Sequence, residues 1–143
     1  MKTFFGTALI VLMFMSSANL FGQKSEQPTW LVVSQNMVPM GKVGVVNKMI
    51  DSVSVPILNE LVDEGMLAGW GQFNHAWGDE WNVNFWYVTK NQSAFVAFWD
   101  EYVTRVSERY PGAFGEIVQY FQAHKDNMYV IRNQYQGMPD TGN

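Results

Sequence analysis

Residues 61–88 have the sequence LVDEGMLAGWGQFNHAWGDEWNVNFWYV, and this stretch decides the fold. Two runs lie on either side of Gly78-Asp79-Glu80: 66–77, which contains two tryptophans and a phenylalanine, and 81–89, which is rich in aromatic and β-branched residues. Two such runs joined by a short turn are typical of a β-hairpin. Four of the six tryptophans of the chain lie on this predicted hairpin.

The predicted hairpin carries almost no charge. Between residues 66 and 89 the charged residues are Asp79 and Glu80, and both lie in the turn. An antiparallel sheet with one solvated face alternates apolar with polar residues, whereas here one face is apolar and the other mixes tryptophan with glutamine and asparagine. Because helices cover one face of such a sheet, we expect the other face to contact a ligand or a second copy of the sheet.

The flanking sequence predicts the rest of the domain. In chain order, hydrophobic periodicity predicts a strand over 30–38, a helix over 41–64, the two hairpin strands, a helix ending at 110, a short helix ending near 125–127, and a strand over 128–135. Pro56 lies inside the first helix, where we expect a kink or a break. The order β-α-β-β-α-(α)-β predicts an α+β, ferredoxin-like fold, with a four-stranded antiparallel sheet and helices on one face.

The first 22 residues have the pattern of a secretory signal peptide. Lys2 precedes the apolar run 4–15, and Ser16-Ser17-Ala18 supplies the small residues that signal peptidase requires. The apolar run is shorter than the roughly 20 residues of a membrane-spanning helix. We therefore expect cleavage after Ala18 or Gly22, export to the periplasm or the medium, and one domain over 23–143 with its core at 30–135.

Composition limits the classes of function. The chain has no cysteine, which excludes a lipoprotein, disulfide bonds and a cysteine nucleophile. Its 22 aromatic residues equal its charged residues in number, its formal net charge is −4, and its lysines and arginines are scattered. Nucleic-acid binding is not expected without a basic surface, and no membrane association is expected once the signal segment is removed.

The element order, the first helix with Pro56, and the stretch 61–88 resemble the dimeric α/β-barrel superfamily. This superfamily includes small antibiotic-biosynthesis monooxygenases and EthD-like, stress-responsive and NIPSNAP-type domains. The resemblance implies a homodimer with two sheets packed face to face, and a pocket between sheet and helices or near the dimer seam.

Some superfamily members degrade haem or are cofactor-free oxygenases that use an Asn, a Trp and a His. Asn36 and Trp86 are the matching residues on the first and third strands. That pattern places the histidine on the helix after the third strand, and residues 91–110 contain none. This departure argues against haem degradation, and no cofactor is predicted.

The chain has two histidines. His75, near the hairpin turn, is the candidate catalytic residue, as a general base or proton-transfer group; the alternative is a polar strand residue bonded to a neighbour. His124 is predicted to lie near a helix end, where a cation suits the helix dipole. The two histidines lack metal-ligand spacing, and no metal site is predicted.

Amide and aromatic side chains on the predicted strands form the candidate ligand-binding set. Small-molecule sites combine aromatic walls with a few fixed polar groups, and this set comprises Asn36, Trp70, Asn74, Asn84, Trp86, Tyr87 and Trp99. The alternative is that the amides bond across strands or at a dimer seam.

The predicted function is binding of a small apolar or aromatic molecule. Two alternatives are a cofactor-free monooxygenase or isomerase using His75, and a structural dimerisation module, so enzyme activity is left open.

Overall fold

Four strands and three helices make up residues 30–78 and 80–133, which are the part of the chain that the computed structural model describes. The elements are β1 (Trp30–Met37), α1 (Val43–Asp63), β2 (Gly69–Phe73), β3 (Val83–Thr89), α2 (Gln92–Arg109), α3 (Ala113–Val118) and β4 (Ala123–Val130), with a 3-10 turn at Met40–Lys42 before α1. This is the predicted β-α-β-β-α-α-β order. The predicted signal segment, 1–22, lies outside the described residues.

The strands form one antiparallel sheet in the spatial order β2-β3-β1-β4. Asn36 on β1 lies opposite Val83 on β3 and opposite His124 on β4. Directly opposed residues share a face of the sheet, so these three side chains lie on the same side. The predicted four-stranded antiparallel sheet is confirmed.

The helices pack on one face of the sheet, as predicted from their apolar stripes. In α1, Val46, Ile50 and Ile57 recur at helical spacing and are almost completely buried. Phe98 and Val106 of α2 are buried in the same core. We call the sheet face beneath these residues the helix-facing side.

The first helix passes Pro56 without the expected break, since α1 is continuous from Val43 to Asp63. The proline ring removes the backbone donor that would have bonded to the carbonyl of Ser52. Ser52 and Pro56 are both exposed, so water can hydrogen-bond to that carbonyl. The cost of the proline is reduced because it falls on the solvent side of the helix.

Several predicted element boundaries were wrong. The second strand was predicted over 66–77 but ends at Phe73. The last helix was predicted to reach 125–127, but α3 ends at Val118, and β4 begins at Ala123 rather than at 128. Because β4 is an edge strand, exposed polar residues occupy much of it, and the hydrophobic alternation that identifies a strand is weak there.

The face of the sheet opposite the helices is apolar at its centre. Val33 on β1 lies between Trp86 on β3 and Asn127 on β4. The indole of Trp86 lies over Gly71 of β2, so closely that a Cβ on Gly71 would be 2.6 Å from Cε2. No described helix packs on this side, which we call the outer face.

Across residues 30–78 and 80–133, every helix is too short or too polar to cross a membrane.

Candidate functional site

A cavity of about 340 Å³ lies between the helix-facing side of the sheet and all three helices. Its floor is formed by β1, β3 and β4, and its walls by the helices and the turn before β4. The lining residues are Ser34, Asn36, Ile50, Ser54, Phe85, Tyr87, Trp99, Tyr102, Phe114, Ile117, Val118, Phe121, Ala123 and His124. We call this space the sheet–helix cavity.

Aromatic rings form one wall of the sheet–helix cavity. The ring of Tyr87 lies edge-on to that of Trp99, with ring centroids 6.2 Å apart. The centroids of the Trp99 and Tyr102 rings are 5.4 Å apart. Phe98 packs behind them, 5.4 Å from Tyr87. These separations fall in the range of favourable aromatic pairs, about 4.5–7 Å. The rings therefore hold one another in place, and the wall does not need a ligand to keep its shape.

A histidine and an asparagine form the polar end of the cavity. Asn36 is 1% exposed, and its Nδ2 donates to the carbonyl of Val83 at 3.0 Å. That bond fixes the amide so that Oδ1 faces Nδ1 of His124 at 2.8 Å. Nε2 of His124 lies 3.0 Å from a carboxylate oxygen of Asp126. The ring of Phe121 stacks on the imidazole, with ring centroids 6.4 Å apart.

Both ring nitrogens of His124 face hydrogen-bond acceptors. The amide oxygen of Asn36 and the carboxylate of Asp126 can only accept, so both contacts are hydrogen bonds only when both nitrogens carry a proton. The side chains of His124 and Asp126 are 47% and 52% exposed. The arrangement thus places the imidazole at the solvent side of the cavity, with an acceptor facing each ring nitrogen.

Hydroxyl groups are the other polar atoms of the lining. Tyr102 donates to Oγ of Ser54 at 2.8 Å, which joins α2 to α1. Among the described residues, the hydroxyls of Tyr87 and Ser34 have no hydrogen-bond partner. Burial raises the pKa of Tyr87 well above its usual value, and burial also raises the pKa of Tyr102. Both phenols are neutral at physiological pH and can act as donors.

The residues predicted to form the ligand site do not all meet. Asn36, Tyr87 and Trp99 line the sheet–helix cavity. Trp70 lies away from it, with Nε1 donating to Asn59 at 3.1 Å. These four residues lie on the helix-facing side or on α2 above it.

The remaining predicted residues lie elsewhere. Asn84 and Trp86 are on the outer face, where Asn84 donates to the carbonyl of Trp81 at 2.8 Å. Asn74 and His75 follow β2 in the connection to β3, and neither lines the cavity. His75 is half-buried, and its Nδ1 has no partner within the described part of the chain.

His124 is the functional candidate that the sequence assigned to the wrong element. It was predicted to lie at a helix end, but it lies on β4 and lines the cavity. No burial pattern marked it as a strand residue, because His124, Lys125 and Asp126 are all exposed. Within residues 30–78 and 80–133, no three His, Cys, Asp or Glu side chains lie close enough to hold a metal ion.

Solved structures share this architecture. A dimeric ferredoxin-like protein from an uncultured marine organism superposes with a TM-score of 0.62 at 8% identity, over 78% of this chain and 95% of its own. The fold is ferredoxin-like.

Two further structures agree with that assignment. An uncharacterised NIPSNAP domain protein from Burkholderia xenovorans has a TM-score of 0.60 at 14% identity, covering 76% of this chain and 99% of its own. A putative antibiotic biosynthesis monooxygenase from Nitrosomonas europaea has a TM-score of 0.53 at 10% identity, covering 73% and 99%. The predicted α+β, ferredoxin-like fold is confirmed.

Sequence comparison adds no further assignment. No protein-family model matches the chain, and no curated protein matches it. At 8–14% identity the solved structures establish the ferredoxin-like architecture. The function must therefore be argued from the residues of the site.

Proposed function

We propose that this domain binds a small, mainly apolar or aromatic molecule in the sheet–helix cavity. The observation that carries the proposal is the cavity itself: about 340 Å³ between sheet and helices, with aromatic walls and one polar end at Asn36 and His124. Small-molecule sites occupy about 300–1,000 Å³ and have this division between apolar walls and a few polar groups.

Binding can be tested with N-phenyl-1-naphthylamine, a neutral aromatic dye that fluoresces in apolar sites. Val118 lines the cavity and is 41% exposed, so Val118→Trp can fill the space without overpacking the core. Val45 is 42% exposed on α1, away from the cavity, and Val45→Trp is the matched control. We expect saturable dye binding to the wild type and Val45→Trp, and at least about tenfold weaker binding to Val118→Trp. Equal binding to all three proteins would contradict the proposal.

A catalytic role is the second candidate, as a cofactor-free oxygenase or isomerase. His124 supports it better than His75, because His124 lines the cavity and is oriented by Asn36 and Asp126. A general acid must lie within hydrogen-bond reach of its substrate, and His75 does not line this cavity.

A homodimer is the proposed state of the domain, with a second copy on the outer face. The apolar centre at Val33 and Trp86 supports this, since a large exposed apolar area marks an interaction site. Oδ1 of Asn84 is buried on the same face and has no partner among the described residues. A structural neighbour is described as dimeric. In the remaining alternative, dimerisation is the whole function of the domain.

Export is proposed from the N-terminal pattern alone. Lys2, the apolar run 4–15 and Ser16-Ser17-Ala18 support removal of a signal peptide. Intact mass measurement of the protein purified from its native source should give a chain beginning at Asn19 or Gln23. A chain that retains Met1 or Lys2 would contradict this.

A further inference from the structure

The polar end of the sheet–helix cavity identifies the chemical class of the ligand. Of the described residues that line the cavity, His124 alone can carry a charge near neutral pH, since both lining tyrosines stay neutral. We infer that the cavity takes an aromatic acid, with the ring system against Tyr87 and Trp99 and the carboxylate at His124. This inference rests on the proposed function and specifies the same site.

Hydrogen-bond directions make His124 a donor. Nδ2 of Asn36 is committed to the carbonyl of Val83, so Oδ1 must accept from Nδ1 of His124. Nε2 faces the carboxylate of Asp126, and in that contact it can act only as a donor. The ring of Phe121 stacks on the imidazole and holds its plane. When both ring nitrogens carry a proton, a ring held in this way favours an anionic oxygen as its partner.

The two bonds of His124 differ in how readily a ligand can replace them. Asn36 is 1% exposed, and its contact with Nδ1 is part of the core. Asp126 is about half exposed, and exposed ion pairs contribute little to stability, about 0–1 kcal/mol. A ligand carboxylate can therefore take the place of Asp126 at Nε2, and the aspartate returns to water at little cost.

Ser34 supplies a second donor on the same floor. It precedes Asn36 by two residues on β1, lies opposite Asp126 of β4, and lines the cavity. Its hydroxyl has no partner among the described residues. A buried hydroxyl that loses water on ligand entry needs a new acceptor. A carboxylate has two oxygens, one for Nε2 of His124 and one for Ser34, whereas a purely apolar molecule would leave the Ser34 hydroxyl without an acceptor.

Three ligands of nearly equal shape test this class: 2-naphthoate, neutral 2-naphthamide and cationic 2-(aminomethyl)naphthalene. Isothermal titration calorimetry on the full chain should give a dissociation constant for the acid about tenfold below that of the amide, with the amine weakest. His124→Gln keeps a polar side chain on the exposed strand and removes the charge. It should reduce the preference for the acid over the amide to less than about threefold.

Lys125→Gln is the matched control. It removes a positive charge from the next residue of β4, whose side chain lies over the ring of Trp81, and it should keep the wild-type preference for the acid.

If acid and amide bind the wild type equally, the assignment of an acid is overturned while the proposed function stands. If Lys125→Gln removes the preference as fully as His124→Gln, general charge and not His124 sets it, and the inference is wrong. If none of the three ligands binds, the inference is overturned; if N-phenyl-1-naphthylamine also fails to bind, the proposed function fails with it.

Discussion

Nδ1 of His124 lies 2.8 Å from Oδ1 of Asn36, a contact between side chains 88 positions apart in the sequence. The two residues are directly opposed on β4 and β1. Asn36 uses its other amide atom to bond the carbonyl of Val83 on β3. One buried amide therefore connects three strands, and it orients the imidazole at the polar end of the sheet–helix cavity.

Replacing Asn36 should destabilise the fold. Asn36→Ala removes two hydrogen bonds and leaves Nδ1 of His124 without its acceptor, so we expect a loss of about 1–3 kcal/mol in the free energy of unfolding. Urea denaturation followed by circular dichroism measures the change. Asn133→Ala, at an exposed asparagine beyond β4, is the control, and it should change stability by less than about 0.5 kcal/mol. Equal effects of the two substitutions would show that the Asn36 contacts contribute nothing.

Gly71 should tolerate no side chain while Trp86 keeps its position. The Cβ of Gly71→Ala would meet the indole ring, and the required shift should cost about 1–3 kcal/mol. Gly44→Ala is the same substitution in α1, where no atom lies within 4 Å of the new Cβ. It should raise stability by up to about 1 kcal/mol through helix propensity. Thermal unfolding of both variants measures the difference, and an unchanged melting temperature for Gly71→Ala would refute the close approach.

Stability should fall at alkaline pH because of Tyr87. Burial raises the pKa of its phenol in the folded chain above the ordinary value of 10.0. Above pH 10 the unfolded chain releases this proton and the folded chain retains it, so deprotonation favours unfolding as the pH rises. Below pH 10 both states keep the proton and the contribution is complete. Urea midpoints from pH 8 to 11 should fall less for Tyr87→Phe than for wild type. Tyr129→Phe, at an exposed ring, is the control and should retain the wild-type fall.

A charge at the centre of the outer face should disrupt the proposed dimer. Val33 lies between Trp86 and Asn127, and Val33→Lys would place an unpaired ammonium in the apolar contact. Size-exclusion chromatography with light scattering should give a dimer mass for wild type and a monomer mass for the variant. Val96→Lys, at a 50% exposed residue of α2, should remain dimeric. A monomeric wild type would exclude the proposed assembly.

The sequence predicted the fold where hydrophobic patterns are strong. Val46, Ile50 and Ile57 follow helical spacing, and the runs on either side of the turn at 78–80 are rich in aromatic residues. These patterns arise from burial, so they identify the elements that form the core. The architecture was recovered because most of its elements contribute to that core.

The site was only partly predictable. β4 is an edge strand, and Lys125 and Asp126 are both exposed on it, so no burial pattern marked His124 as a strand residue. Strand register decides which aromatics face the helices: Trp70 is paired with Tyr87 on the helix-facing side, whereas Trp86 is paired with Gly71 on the outer face. Register depends on long-range pairing that local sequence does not specify.

Methyl nuclear magnetic resonance tests the central claim, that the sheet–helix cavity binds a small aromatic molecule. Ile50 and Ile117 line the cavity, whereas Ile57 is buried elsewhere in the core and Ile131 follows β4. In protein labelled at isoleucine methyls, N-phenyl-1-naphthylamine should shift the resonances of Ile50 and Ile117, because an aromatic ring in the cavity changes their local field. The resonances of Ile57 and Ile131 should stay in place. Dye binding that leaves Ile50 and Ile117 unmoved would contradict the account.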